Sequence, residues 1–142
     1  MKKIVGIMGI ILATMLVASC APPTAVATEG GLELGGLVER GWSLEDLQAL
    51  PMTKANYTNK DGETTTFQGV SFSDLFEEAG ISEYDMVTLI AADDYSVGID
   101  RETLESCESC IIAIEDDGAL RSVMPGMESK LQVKNLVMIE MN

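Results

Sequence analysis

Histidine is absent from this sequence of 142 residues. Histidine is the usual general base near neutral pH and a common protein ligand of zinc. It is also the central member of the Ser-His-Asp and Cys-His arrangements that activate a nucleophile. The absence of this one residue type therefore excludes those catalytic arrangements and the usual histidine-containing zinc sites.

Basic side chains are few, since 9 lysines and arginines stand against 23 aspartates and glutamates and give a formal net charge of −14. Such a surface repels phosphate groups, so we expect neither nucleic acid nor anionic lipid headgroups to be partners. A high net charge also keeps a protein soluble. We interpret the acidity mainly as solubility outside the cell, and recognition of a specific cationic partner is the alternative.

A long hydrophobic run occurs only near the N-terminus, at residues 4–17. It is shorter than the roughly 20 residues that a membrane-spanning helix needs. Two lysines precede it, and small residues lead from it directly to Cys20, which is the order of a lipoprotein export signal. We predict a lipoprotein signal peptide at residues 1–20, cleavage before Cys20 and lipid attachment at Cys20. An uncleaved anchor is the alternative, and both place the domain in an extracytoplasmic location on the cell membrane.

Residues 21–31 are mostly small residues, proline and glycine, which is typical of a flexible linker. The remaining residues, 32–142, number about 110, which suits one domain with one core. We find no internal repeat. Loss of Lys2 and Lys3 with the signal leaves 7 basic against 23 acidic side chains, a formal charge of −16.

Two helices are predicted from capping residues and apolar spacing. Ser43 is a suitable N-cap for a helix over residues 43–50, which a proline follows. A second helix begins at Ser71 or Ser73 and ends at Gly80, with its apolar side chains on one face. Both helices are expected to pack that face against the core.

Strands are predicted where polar and apolar residues alternate or where an apolar run lies between turns. Residues 57–68 form a hairpin, because the turn sequence Asn-Lys-Asp-Gly divides them. Residues 86–92 are almost continuously apolar, which predicts a strand buried on both faces. Residues 32–39 are predicted to form a first strand or short hairpin, residues 95–99 and 111–114 one strand each, and residues 131–141 a final strand or pair of strands. The pattern as a whole predicts six or seven strands and two or three short helices, a mixed α+β domain that is mostly β.

Several motifs follow one another along nearly all of residues 32–142. They are Gly-Leu-Val at 36–38, the helix with its proline at 43–51, Gln-Gly-Val-Ser-Phe-Ser-Asp-Leu at 68–75, Ala-Asp-Asp-Tyr at 92–95, an apolar strand that ends in Asp-Gly at 111–118, Met-Pro-Gly at 124–126 and Val-Lys-Asn-Leu at 133–136. In order and spacing they resemble the molybdopterin-binding domain of the sulfite oxidase family. The resemblance implies a sulfite oxidase molybdopterin-binding-like fold.

The resemblance also carries an expectation about the cofactor. In that family a cysteine thiolate ligates molybdenum, and the corresponding residues 54–60 contain no cysteine. Family members hold the pterin with arginines, histidines and lysines, whereas this chain has no histidine and only Arg101 and Arg121 after its first predicted helix. We therefore expect a noncatalytic module, without a cofactor, that binds a small ligand or a surface protein. The alternative is a molybdopterin-dependent oxidoreductase component, with molybdopterin as its cofactor.

Three residues are the candidates for ligand binding that the resemblance implies: Asp94, Tyr95 and Arg121. Asp94 stands where the family commonly has the glycine of an Asp-Gly-Tyr turn, and aspartate tolerates a positive φ better than most residues. A solvated acidic turn is the alternative for this segment. Arg121 stands where the family presents a basic residue near the cofactor pocket, so it is the best candidate to hold an anion. A surface salt bridge is the alternative for Arg121.

Cys107 and Cys110 form a Cys-x-x-Cys pair. Outside the cytoplasm such a pair closes a disulfide or serves as a dithiol. Zinc would need two more ligands, and only carboxylates remain to supply them. The acidic neighbours Glu105 and Glu108 disfavour a thiolate, which argues against a reactive thiol. We favour a loop disulfide, and a thiol-disulfide redox module using Cys107 and Cys110 is a further functional alternative.

Methionine is frequent near the C-terminus, at Met124, Met127, Met138 and Met141. Because methionine adapts its shape to irregular gaps, we expect these side chains to fill the core. A copper site built from thioethers is the alternative.

Overall fold

A computed structural model describes residues 30–142. The predicted signal peptide, the lipid attachment at Cys20 and most of the predicted linker lie outside the described residues. The described part has nine strands, which are β1 (Leu32–Gly36), β2 (Arg40–Trp42), β3 (Met52–Thr58), β4 (Thr64–Ser71), β5 (Met86–Ala91), β6 (Ser96–Asp100), β7 (Ile111–Ile114), β8 (Leu120–Val123) and β9 (Leu136–Met141). Its helices are α1 (Leu44–Ala49), α2 (Phe72–Glu78), α3 (Arg101–Glu105) and a 3₁₀ helix (Ser129–Leu131).

The strands form two sheets. A five-stranded sheet has the order β2-β1-β9-β5-β6, and a four-stranded sheet has the order β3-β4-β7-β8. β1 and β9 run parallel, whereas the other neighbouring strands run antiparallel. The C-terminal strand β9 therefore lies in the middle of the five-stranded sheet.

Side-chain caps start the first two helices, as predicted. The Ser43 hydroxyl accepts a hydrogen bond from the Asp46 amide at 3.1 Å, and the Asp46 carboxylate accepts one from the Ser43 amide at 3.0 Å, which completes a capping box. The Ser43 hydroxyl also donates to the Asp46 carboxylate at 2.7 Å, and this bond, followed by the one from the Ser43 amide, holds the pKa of Asp46 below its ordinary value. Ser71, and not Ser73, caps α2 by accepting from the Asp74 amide at 3.0 Å.

The third helix, α3, was not predicted at a specific place. The Asp100 carboxylate caps it by accepting from the Thr103 amide at 2.8 Å, and this bond is the largest cause of a lowered pKa at Asp100. Among its five residues only Leu104 is buried, so the helix has too little apolar periodicity to stand out in the sequence. None of the helices in residues 30–142 has the length and apolar composition needed to cross a bilayer.

The main core joins side chains from both sheets and all three α-helices. Its members with no exposed surface are Leu32, Leu75, Val87, Leu89, Met124 and Ile139. Burial of each such side chain contributes about 1.5–3 kcal/mol relative to leaving it in water. Strand β9 is therefore held by the burial of its side chains as well as by its backbone pairing with β1 and β5.

A smaller apolar cluster lies on the other face of the four-stranded sheet. It comprises Ala55, Ile111, Ala113 and Val123, with Tyr57 and Phe67 packed beside it. The register pairs Ala113 with Arg121 across β7 and β8, so the two side chains lie on the same face. Arg121 is thereby placed on this cluster.

The prediction that residues 86–92 are buried on both faces is wrong. Val87, Leu89 and Ala91 are buried, whereas Met86 is 43% exposed and Ile90 is half-buried. Side chains alternate along a strand, so Met86, Thr88 and Ile90 share a second face that is more exposed than the first. Met138 lies on this same second face, so its predicted place in the core is also wrong, while Met124 and Met141 are buried as predicted.

The count of six or seven strands is too low. β8 escaped prediction because Arg121 and Ser122 look like loop residues, although both are buried. The predicted strand or pair of strands at residues 131–141 is too long, since β9 begins only at Leu136 and an isolated bridge between Lys134 and Arg121 is the only strand-like pairing before it in this described segment. Asn135 directly before it has a φ of 51°, a conformation outside the β region that delays the start of the strand.

Candidate functional site

Arg121 is the most buried charged residue in the described part of the chain, at 8% exposure. Its Nη1 lies 3.3 Å from Oε1 of Glu115, and its guanidinium carbon lies 4.6 Å from the centre of the Phe67 ring. The expected salt bridge is present, but the expectation that it lies at the surface is wrong for the arginine. Its buried Nε has no acceptor among residues 30–142. The guanidinium is thus neutralised by Glu115 and covered on one face by an aromatic ring.

Asp94 lies in the turn between β5 and β6. Its φ is 65°, so the expected positive φ is confirmed. The Asp94 amide donates to the carbonyl of Ala91 at 3.0 Å, and the Tyr95 amide donates to Oδ1 of Asp93 at 3.2 Å. The turn is therefore closed by its own hydrogen bonds, while the Asp94 side chain stays exposed.

Tyr95 is 44% exposed, and its hydroxyl donates to the carbonyl of Lys130 at 3.0 Å. This bond joins the β5–β6 turn to the 3₁₀ helix. The tyrosine hydroxyl thus already has a structural partner.

The structure does not bring the three predicted site residues together. No hydrogen bond or ion pair among residues 30–142 links Arg121 to Asp94 or Tyr95. Asp94 lines an open groove of about 1220 Å³, and neither Tyr95 nor Arg121 is part of that lining. The candidate site is therefore divided between the groove and the Arg121 cluster.

The large groove has an acidic lining. Four carboxylates line it, those of Glu33, Glu39, Asp46 and Asp94, against the single guanidinium of Arg40. Arg40 is itself tied to Glu78, with its Nη2 2.7 Å from the carboxylate and its Nη1 2.9 Å from the backbone carbonyl. The remaining lining includes apolar side chains such as Leu34, Ile90 and Met138. This groove suits a cationic or neutral ligand better than an anion.

A smaller groove of about 400 Å³ lies beside a disulfide between Cys107 and Cys110. Cys110 is 4% exposed, whereas Cys107 is half-buried and lines the groove with Cys110. Phe72, Phe76 and Tyr84 supply apolar lining, and Glu77, Glu105 and Glu108 supply carboxylates. Burial raises the pKa of Tyr84 above its ordinary value, so its hydroxyl stays protonated and neutral.

Each arginine of residues 30–142 is engaged twice. Arg40 pairs with Glu78 and lies over Trp42, at 5.2 Å from the ring centre. Arg101 pairs with Glu105 at 2.6 Å and lies over Tyr84 at 5.4 Å. Arg121 repeats the arrangement with Glu115 and Phe67. The side chains best suited to bidentate recognition of an anion are thus all held by carboxylates and rings.

The segment that corresponds to the family's metal ligand, residues 54–60, lies largely in β3. This strand pairs continuously with β4, from Met52 opposite Val70 to Thr58 opposite Thr64. The described cysteines lie elsewhere. The C-terminal end of β4 pairs with β7, with Ser71 opposite Ile111, and the disulfide directly precedes β7. Residues 30–142 also contain no group of three or more histidine, cysteine, aspartate or glutamate side chains placed to hold a metal ion.

Sequence reasoning missed two groups that organise this region. Glu115 lies in the segment 111–118, where the sequence indicates only a strand and its Asp-Gly end, yet it is the partner of Arg121. The Gln132 side chain accepts from the Met124 amide at 2.9 Å and donates to its carbonyl at 2.6 Å, so it closes the loop after β8. The one signal for Gln132 in the sequence is its position as a polar residue between the apolar Leu131 and Val133, and this position does not indicate which residue it contacts.

No protein-family model and no curated protein matches the sequence. Among solved structures, 24 chains match. One is the sulfane dehydrogenase SoxCD from Paracoccus pantotrophus, with a TM-score of 0.67 and 19% sequence identity over 81% of this chain. The matched region spans 38% of that protein. The described part of the chain is thus a mixed α+β, mostly β domain like the sulfite oxidase-type fold.

Proposed function

We propose that the chain is a noncatalytic binding module, tethered outside the cytoplasm through a lipid on Cys20, that uses a sulfite oxidase-type fold to bind a small ligand or a partner protein. The fold similarity to a part of a sulfane dehydrogenase supports the structural half of this proposal. Similarity of fold alone does not carry an activity, so the functional half rests on the side chains.

The engagement of the three arginines is the observation that carries the proposal. An anionic cofactor would need cationic donors, and each arginine of the described residues is already paired with a glutamate and covered by an aromatic ring. Freeing Arg121 would leave a largely buried guanidinium or its glutamate without a partner, which costs several kcal/mol for a fully buried pair and less here. None of the three arginines is therefore free to hold a molybdopterin.

The thiol chemistry supports the same conclusion. A molybdenum-ligating thiolate would be expected within residues 54–60, and none is there. The described cysteine sulfur atoms lie beyond the Ser71 end of β4, and the eight residues Thr64–Ser71 span roughly 23 Å from first to last at about 3.3 Å per residue. Both are engaged in the disulfide.

A thiol-disulfide redox module is the second candidate, because Cys107 is only half-buried and borders a groove. Three carboxylates in that groove would repel an approaching thiolate, which disfavours exchange. A reduction potential in the range of exchange catalysts, above about −270 mV, would favour this candidate; a potential below about −300 mV would favour a structural disulfide.

The proposal can be tested by reconstitution. The purified full chain is mixed with molybdopterin released from a molybdoenzyme, passed through gel filtration and assayed for oxidised-pterin fluorescence. A sulfite oxidase domain that retains its cysteine serves as the positive control. We expect no pterin to elute with the chain, and pterin at about one per chain would overturn the noncatalytic proposal.

The tether is tested separately in cells. Incorporation of a labelled fatty acid is compared between the wild-type chain and Cys20→Ser. We expect label and membrane association in the wild type only. Equal membrane association of the two forms without label in either would favour the uncleaved anchor.

A further inference from the structure

The second face of the five-stranded sheet points away from the main core and borders the groove of about 1220 Å³. Side chains alternate along its strands, so Leu32 and Leu34 enter the core while Glu33 and Gly35 lie on this second face. The register places Met138 beside Glu33 on one side and beside Ile90 on the other. We call Glu33, Gly35, Gly41, Ile90 and Met138 the outer face.

Two glycines shape the outer face, where Gly35 is buried beneath Met138 and Gly41 is exposed. A Cβ at Gly35 would lie 2.6 Å from Cε of Met138, so the methionine side chain lies directly over the glycine. A Cβ at Gly41 would meet nothing within 4 Å. All five outer-face residues line the groove of about 1220 Å³. A flexible thioether on a flat, half-buried surface is typical of an adaptable binding site.

Carboxylates border the apolar part. Glu33 lies on the outer face, and Glu39 and Asp94 line the same groove. Arg40 is the only basic side chain in this lining, and Glu78 neutralises it. The surface therefore combines an apolar floor with a negative rim.

We propose that the outer face docks an extended, basic and partly apolar segment of a partner protein. The inference rests on the proposed function and names the class of its partner. Apolar side chains of the segment would pack on Ile90 and Met138, and its lysines or arginines would meet Glu33 and Asp94. A second copy of the chain fits poorly because both copies carry a formal charge of −14 or more, and an anionic membrane surface is repelled in the same way.

The probe is a capped heptapeptide of alternating leucine and lysine, titrated into the ¹⁵N-labelled full chain. A heptapeptide of alternating leucine and serine is the uncharged control. We expect the lysine peptide to shift the amide signals of Gly35, Ile90 and Met138, and the serine peptide to bind at least fivefold more weakly. Binding should weaken as salt is added.

Matched charge variants locate the contact. Glu33→Gln with Asp94→Asn removes two rim charges, whereas Asp61→Asn with Glu83→Gln removes two charges from exposed loops that do not line the groove. We expect about a fivefold loss of affinity in the first pair and less than a twofold loss in the second. Asparagine tolerates the positive φ at position 94, so the first pair should keep its fold.

The remaining outcomes would overturn the inference. Equal losses in the two variant pairs would mean general attraction to a negative protein, and shifts centred on Cys107 would assign the binding to the smaller groove. A dimer that Met138→Lys dissociates would assign the outer face to a second copy. A gain in affinity on deletion of residues 21–28 would assign it to the chain's own linker. Absence of peptide binding would refute this inference alone, because pterin reconstitution tests the proposed function independently.

Discussion

Replacement of Arg121 by alanine separates a structural role from an anion-binding role. The substitution removes about two buried methylenes, worth about 1.6 kcal/mol, and a cation–π contact worth about 0.5–2 kcal/mol. It also removes the buried Nε that has no acceptor among residues 30–142, and this offsets the loss of stability by about 1 kcal/mol. The side chain of Glu115 is 31% exposed, so water can take over part of its solvation. We expect a net loss of about 2 kcal/mol in the free energy of unfolding.

Arg101 provides a matched control within the same chain. It also pairs with a glutamate and lies over a tyrosine ring, but its side chain is 41% exposed against 10% for Arg121. Exposed pairs of this kind contribute about 0.3–0.5 kcal/mol. With its exposed cation–π contact, worth about 0.5–1 kcal/mol, Arg101→Ala should therefore cost about 1 kcal/mol, roughly half of what Arg121→Ala costs.

Urea unfolding followed by Trp42 fluorescence measures both losses. Trp42 is the only tryptophan and is 4% exposed in the native state, so its emission reports unfolding of the core. Equal losses in the two variants would refute the argument from burial. Stabilisation of the wild type, but not of Arg121→Ala, by millimolar phosphate would instead identify Arg121 as an anion-binding residue.

Three further predictions concern the disulfide, the caps and the β5–β6 turn. Replacing Cys107 and Cys110 by serine should cost about 2 kcal/mol in urea unfolding, because the bond closes a loop of four residues, and an unchanged midpoint would show that it is dispensable. Hydrogen bonds lower the pKa of Asp46 and Asp100 in the folded protein. The stability that these two carboxylates contribute is therefore complete above the ordinary pKa of 3.8 and is lost as the pH falls through the lower folded-state pKa. In the asparagine variants the melting temperature should fall less steeply between pH 5 and 2. Asp94→Gly should be neutral or stabilising by up to about 1 kcal/mol, whereas Asp94→Val should destabilise by at least about 1 kcal/mol, because only the second meets a large cost at positive φ. Similar melting temperatures for the two Asp94 variants would contradict the last point.

The elements that the sequence predicted well are governed by local chemistry. Ser43 and Ser71 indicate where their helices begin, because an N-cap forms its hydrogen bond within the next three residues. The hairpin at residues 57–68 is indicated by its turn sequence. In the structure the Asn59 amide donates a hydrogen bond across this turn to the carbonyl of Glu63 at 2.9 Å. The positive φ at Asp94 followed from the resemblance, because a glycine commonly stands there in the family. Such features need no knowledge of the tertiary structure.

The features that were missed depend on contacts between distant segments. Arg121 meets Phe67 only because β4, β7 and β8 are neighbours in one sheet, and no spacing in the sequence encodes that order. Met138 resembles a core methionine in the sequence, yet the register of β9 turns it to the outer face. The predicted site failed for the same reason, since Asp94 and Arg121 have separate surroundings. Side-chain patterns indicate which residues are suited to a site, while the sheet topology decides which of them meet.

The central claim, that this fold carries no molybdenum centre, is tested most directly by the molybdenum content of the full chain purified from a host that makes molybdopterin. A sulfite oxidase domain expressed in the same host confirms that the cofactor is available. The account predicts molybdenum below about 0.05 atoms per chain, since there is no thiolate in β3 and the arginines are engaged. Molybdenum near one atom per chain would contradict it and would require a ligand other than cysteine.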